Sequence, residues 1–231
     1  MTPADDTLRA NAQHSAYDFI KQEILALRLK PTEHLNANAL AMRLAISRTP
    51  VREALGRLEQ DGLVGRAVTG GFFVRPITLK EIVDVYRIRE ALEVEAALEA
   101  LPNMNDAVLS ELQGILASTE ILLTPENYAE FILVNRKFHA AILRTSGNSM
   151  FSVVMGPVED RIRLVGAMLI KLHAPRQAEV LAENIRILKA LRSGDTERVE
   201  EAVRAHIRRA REHASKLLTR DHSHLYMNIR S

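Results

Sequence analysis

The chain has 231 residues, a formal net charge of +2, no cysteine, no tryptophan and only 4% aromatic residues. A disulfide framework is excluded, which fits a reducing cytoplasm, and no run of about 18 apolar residues exists to span a membrane. The length allows one large domain or two small ones, and the abundance of Ala, Leu, Ile, Arg and Glu favours helices.

Residues Met1–Asn11 are polar, carry Asp5 and Asp6, and do not read as a signal peptide. From 14 to 28, Ala16, Phe19, Ile20, Ile24, Leu25 and Leu27 recur at helical spacing, and Lys30-Pro31 closes that helix. Asn36 is placed to cap a second helix running to Leu44. A third follows at once, capped by Ser47 or Thr49, with Pro50 in the first turn where a missing N–H costs nothing. Its apolar residues, Leu55 and Leu58, can face a core. Ser47, Arg48, Thr49 and Arg52 crowd its start with hydroxyl and guanidinium donors. That is the chemistry with which a helix N-terminus enters a DNA major groove. The small basic excess of the chain lies in this part. Two short β-prone runs then flank Gly70-Gly71, a hairpin signal. Three helices and a hairpin make a winged helix-turn-helix over residues 1–78, including a polar N-terminal tail and a Pro76-Ile77-Thr78 linker.

From Leu79 only helices are predicted, over 79–100, 105–123, 126–147, 149–172, 175–193 and 196–218. Breaks fall at Pro102, Thr124-Pro125, Gly147-Asn148, Ala174-Pro175 and Gly194-Asp195. Gly156-Pro157 predicts a kink, and 219–231 a frayed end. The fold class is therefore mainly α: a winged helix-turn-helix followed by a six-helix bundle over 79–231 with its own core.

Two stretches carry a family resemblance. Ser47-Arg48-Thr49-Pro50-Val51-Arg52-Glu53-Ala54-Leu55, with Arg57-Leu58-Glu59 and Asp61-Gly62-Leu63-Val64, resembles the DNA-binding half of the GntR family of bacterial transcription regulators. The helical remainder resembles the effector (FCD) domain of its FadR-type branch through Arg89-Glu90-Ala91-Leu92-Glu93, Asn135-Arg136-Lys137-Phe138-His139, Ser146-Gly147-Asn148, Gly194-Asp195 and His206. Six helices point to the shorter VanR-like subgroup. The resemblance implies DNA contacts at Asn38, Ser47, Arg48, Thr49 and Arg52, with the wing tip at Gly70 and Gly71. It also implies a cytoplasmic homodimer on a palindromic operator in double-stranded DNA, more commonly as a repressor.

The bundle adds an argument of its own. Arg89, His139, Asn184 and His206 each fall on or beside the apolar stripe of a different helix, and Asn135 lies one turn before His139. Inward polar groups need partners, so four together predict a polar cavity for a ligand. In many FadR-type relatives that cavity holds a divalent metal, zinc or nickel, on positions that fall here on Asn135, His139, Asn184 and His206. The readings open at this point are a metal on His139 and His206, an organic effector hydrogen-bonded directly, and a self-satisfied interior network. Arg89, helped by Arg163, could pair with the carboxylate of a small organic acid. A nucleophile elbow, a P-loop, a dinucleotide glycine motif and a zinc-protease motif are all lacking, so the chain does not read as an enzyme.

Overall fold

In a computed structural model the structure describes residues 3–68, 70–171 and 176–221. The chain divides into two compact units, Met1–Ile77 and Thr78–Ser231.

The first unit opens with α1 (Pro3–Leu25), which starts well before residue 14 and stops before Lys30-Pro31. Ala16, Ile20 and Ile24, one turn apart, are fully buried and pack toward α3 (Arg48–Gln60). The helix ends early because Leu27 takes a left-handed φ of 55°, while the amides of Arg28 and Leu29 fold back onto the carbonyl of Glu23. Helix α2 (Ala37–Leu44) is capped by Asn36, whose Oδ1 accepts from the amides of Asn38 and Ala39. It closes at Ala45, with φ 53°, to make the tight turn into α3. Helix α3 buries Val51, Ala54, Leu55 and Leu58, each large apolar side chain contributing roughly 2 kcal/mol of transfer free energy.

A hairpin forms between β2 (Val64–Arg66) and β3 (Phe72–Val74), with Gly70 and Gly71 at φ 86° and 91° in its turn. One strand was not anticipated from sequence. β1 (His34–Leu35) pairs antiparallel with β3, giving the order β1-β3-β2. Two residues are too few for alternation to register. Opposite Phe73, Gly65 leaves room for the ring: a Cβ there would lie 2.6 Å from Phe73 Cζ.

The second unit contains six α-helices among its described residues: α4 (Leu79–Ala100), α5 (Asp106–Glu120), α6 (Tyr128–Thr145), α7 (Ser149–Lys171), α8 (Gln177–Ser193) and α9 (Thr196–Asp221). Their starts follow side-chain chemistry. Thr78 and Glu81 form a reciprocal capping box at α4, Asn105 caps α5, and Asp195 Oδ1 accepts from the amide of Arg198 in α9. Gly194 ends α8 with φ 69°. Pro125–Asn127 forms a 3₁₀ turn ahead of α6, so that helix starts two residues later than predicted. Pro157 lies inside α7 without ending it, and α9 continues to Asp221 through the first residues of the predicted frayed end. The break at Ala174-Pro175 and residues 222–231 lie outside the described residues. Helix α4 is central, packing against α6, α7 and α9.

Candidate functional site

The first unit presents a polar, exposed patch where α2 and α3 begin. Asn38, Ser47, Arg48, Thr49 and Arg52 are all exposed. Ser47 occupies the N-cap position of α3, but its hydroxyl makes no capping bond. Neither helix has an acidic residue in its first turn, so no carboxylate there offsets the positive end of either dipole, which favours an anion. Arg48 Nη1 donates to Asn38 Oδ1 at 3.4 Å, tying the two helix starts together. The competing use of Arg52 is an ion pair with Glu53 or Glu59; of these two, Glu59 receives Arg66 Nε at 2.9 and 3.0 Å. Gly70 and Gly71 stand exposed at the hairpin tip, and a Cβ on either would meet nothing within 4 Å. Their requirement is conformational.

The second unit holds a cavity of about 90 Å³ between its helices, lined by Tyr86, Arg89, Asn135, Arg136, Arg176 and His206 among others. Two parallel chains of charge support it. In one, Arg89 Nε donates to Glu93 Oε1 at 2.5 Å, and His139 Nδ1 donates to Glu93 Oε2 at 2.7 Å. In the other, Arg176 Nη2 donates to Glu183 Oε1 at 2.6 Å, and His206 Nδ1 to Glu183 Oε2 at 2.9 Å. Burial raises the pKa of both carboxyls. The Arg89 and His139 partners outweigh it at Glu93, and the His206 and Arg176 partners at Glu183, so both are held below the usual carboxylate range. Burial pushes the His206 imidazole down to about 4, against the pull of Glu183. With Glu183 ionised and His206 neutral, the shared proton sits on Nδ1 and the Nε2 lone pair is open.

Those open atoms decide what the cavity can bind. His139 Nε2, His206 Nε2 and Asn184 Oδ1 are buried without a hydrogen-bond partner. The two imidazoles stack with centroids 5.0 Å apart. Asn184 Nδ2 donates to Asn135 Oδ1 at 2.5 Å. His139 is stacked on His206 and Asn184 is hydrogen-bonded to Asn135, but neither is a lining residue; the cavity therefore offers the His206 imidazole and the guanidinium groups of Arg89, Arg136 and Arg176. Tyr128 also lines it, its hydroxyl pushed up to about 12 by burial and so protonated.

Residues 12–74 match the gntR family of bacterial regulatory proteins, and residues 84–209 match the FCD domain. A regulator from an unstable DNA locus of Streptomyces ambofaciens is 31% identical over 214 residues, 87% of each chain. The chain is a GntR-family transcriptional regulator. The HTH-type regulator YdhC of Bacillus subtilis is 29% identical over 204 residues, 87% of this chain and 90% of that protein. A probable D-xylose utilization operon repressor of Paenarthrobacter nicotinovorans is 27% identical over 200 residues, covering 86% and 87%. The crystal structure of a GntR-type regulator from Rhodococcus sp. RHA1 shares the fold, with a TM-score of 0.75, 23% identity and coverage of 91% and 99%. The relatives are regulators, and this GntR-family chain is not an enzyme.

Within the FCD domain the side chains fall in part where the sequence predicts. Arg89, His139, Asn184 and His206 are buried, and Asn135 is half-buried. Arg89 differs from expectation in what it does: its Nε is committed to Glu93, so it is no unengaged clamp for a carboxylate. Arg163 is half-buried on α7 and is not a lining residue. Sequence reasoning missed Glu93, Glu183, Arg136 and Arg176. Glu93 had a signal, standing one turn after Arg89. Glu183 had none, because its partners lie on α9 and ahead of α8.

The four positions that the resemblance assigns to a divalent metal do not make a shell suited to zinc or nickel. Two imidazole nitrogens are open, but Asn135 Oδ1 already accepts from Asn184 and both nearby carboxylates are engaged. Among the described residues no group of three or more His, Cys, Asp or Glu could hold a metal ion.

Proposed function

We propose that this GntR-family regulator binds a palindromic operator as a cytoplasmic homodimer, represses transcription from it, and changes its grip when a small organic acid enters the FCD cavity. The carrying observation is the exposed cluster Asn38, Ser47, Arg48, Thr49 and Arg52 at two helix starts free of acidic residues in their first turns. A two-fold dimer would set two such helices on half-sites one DNA turn apart. Gly70 and Gly71 would carry the wing along the neighbouring backbone. Repression is supported by the Paenarthrobacter relative, which is named a repressor. No helix among the described residues is long and apolar enough to cross a membrane. Six helices in the FCD domain support a place in the VanR-like subgroup.

The effector reading draws on the lining. Arg89, Arg136 and Arg176 line the cavity and, although each is paired with a glutamate, their remaining N–H groups favour an acid. The unpartnered Nε2 of His206 offers an acceptor to a hydroxyl or amino group on the same molecule, with His139 stacked on His206 and Asn184 hydrogen-bonded to Asn135. Asn135 would hold Asn184 in place. Arg163, near Arg136 and with its pKa lowered by burial and by that neighbour, would act at a distance. The test is operator selection from random duplex DNA with purified protein, then titration of hydroxy and amino acids into the complex. An operator affinity that no such acid alters would refute the effector half. A second reading, a sensor holding zinc or nickel on His139 and His206, draws on the two open Nε2 atoms alone.

A further inference from the structure

We infer that the Asn135–Asn184 amide pair shuts a metal site, so that the FCD cavity works without a metal and would take one up after two substitutions. The histidines are prepared for a metal in every respect but their neighbours. Each has its Nδ1 proton fixed on a carboxylate, at 2.7 and 2.9 Å, leaving Nε2 buried and open. That is the arrangement by which an outer carboxylate orients a metal-binding imidazole.

The two remaining positions are filled by side chains that bind each other. Asn184, 1% exposed, donates Nδ2 to Asn135 Oδ1 at 2.5 Å. That bond takes up one of the two lone pairs of Asn135 Oδ1 and turns the Asn184 side chain toward it, while Asn184 Oδ1 is buried without a partner. An amide oxygen is a hard neutral donor, ill matched to zinc or nickel beside imidazole. Charge points the same way. Glu93 and Glu183 are balanced by Arg89 and Arg176, and Arg136 also lines the cavity, paired with Glu159. A dication would meet only neutral ligand atoms, and the carboxylates behind the imidazoles are already balanced by guanidinium groups, so little net negative charge is left to offset the desolvation of its charge. An aspartate at 135 and a histidine at 184 would supply both the anionic oxygen and the third imidazole, completing a tetrahedral set.

This inference rests on reading the cavity as the effector site. The experiment needs neither DNA nor effector, so its failure is separate from a failure of that reading. Full-length protein is stripped with chelator, exposed to zinc or nickel chloride, desalted, and assayed for bound metal by mass spectrometry. Wild type is expected to retain under about a tenth of an equivalent per chain, and N135D/N184H about one equivalent with a raised melting temperature. Circular dichroism checks that the variant is folded. If it is not, N184H alone, with three imidazoles, takes its place in the same comparison. Wild-type protein that retains one equivalent, lost in H139A or H206A, would overturn the inference. So would a folded variant that binds no more metal than wild type.

Discussion

The imidazoles of His139 and His206 stack at 5.0 Å with their planes inclined by 21°, although they come from different helices and answer to different carboxylates. Burial keeps the His206 ring neutral, so the stack carries no repulsion between two charged rings. The outer Arg–Glu pairs hold the rings in this relation, and removing either pair should be felt in stability before it is felt in binding.

Glu93 ties the two helices α4 and α6 together. Its side chain is buried, accepts from Arg89 and His139, and sits in the middle of the bundle. E93Q leaves the Arg89 guanidinium buried without its counter-charge, which costs about 3 kcal/mol or more and lowers the melting temperature by on the order of 10 °C. K80A is the contrast. Lys80 and Asp84 form an exposed pair, worth under about 1 kcal/mol. Thermal denaturation of both variants checks the difference, and equal effects would contradict it.

Acid should weaken the second unit in two stages. Burial holds the His206 pKa near 4 against an ordinary 6.5, with Glu183, His139, Arg89 and Glu93 facing it. Between those values the unfolded chain takes up a proton that the native chain refuses, so stability falls as pH drops from 6.5 toward 4, by at most about 1.4 kcal/mol per pH unit from this group. The lowered pKa values of Glu93 and Glu183 work further down. Their stabilisation is present above the unfolded carboxylate range near 4.5 and is lost as they protonate below it. Urea titrations across that range should show the slope, and H206Q should flatten its upper part.

At the DNA face, R52A should weaken operator binding by about 1–3 kcal/mol if Arg52 reads a base, and shift the salt dependence little. R48A should also release Asn38, so N38A combined with R48A should cost less than the sum of the two separate losses. Fluorescence anisotropy at several salt concentrations distinguishes these outcomes. Unchanged affinity in both arginine variants would remove this face from the interface.

Backbone conformation gives two further tests. Ala45 holds φ 53° at the turn between α2 and α3, a region that disfavours any side chain, so A45G should stabilise the first unit by up to about 1 kcal/mol. G65A should do the reverse, because its Cβ would press on the Phe73 ring across the hairpin. Chemical denaturation monitored by circular dichroism reads both.

Much of this architecture was legible in the sequence because it rests on local rules. Asn36, Thr78, Asp195 and Gly194 mark helix ends through bonds to their own neighbours, and buried positions such as Ile20 and Ile24 repeat at the helical period. What was not legible depends on distant partners. β1 exists because β3 offers it an edge. Glu183 looks like an ordinary surface carboxylate until the helix carrying His206 is placed beside it, and Glu93 shows only its spacing from Arg89, not its bond to His139. Arg89 was recognised as inward-facing, but its partner Glu93 was not, and that partner changes its role.

The amide pair also has a genetic meaning. Asparagine codons differ from those of aspartate and of histidine only in the first base, so each missing ligand at Asn135 and Asn184 is one base change away. If the two substitutions bring in a metal as proposed above, a regulator on this scaffold would gain a metal requirement without rebuilding a helix, because Glu93 and Glu183 already hold His139 and His206. The change of signal would then need two base substitutions in the second unit and none in the first.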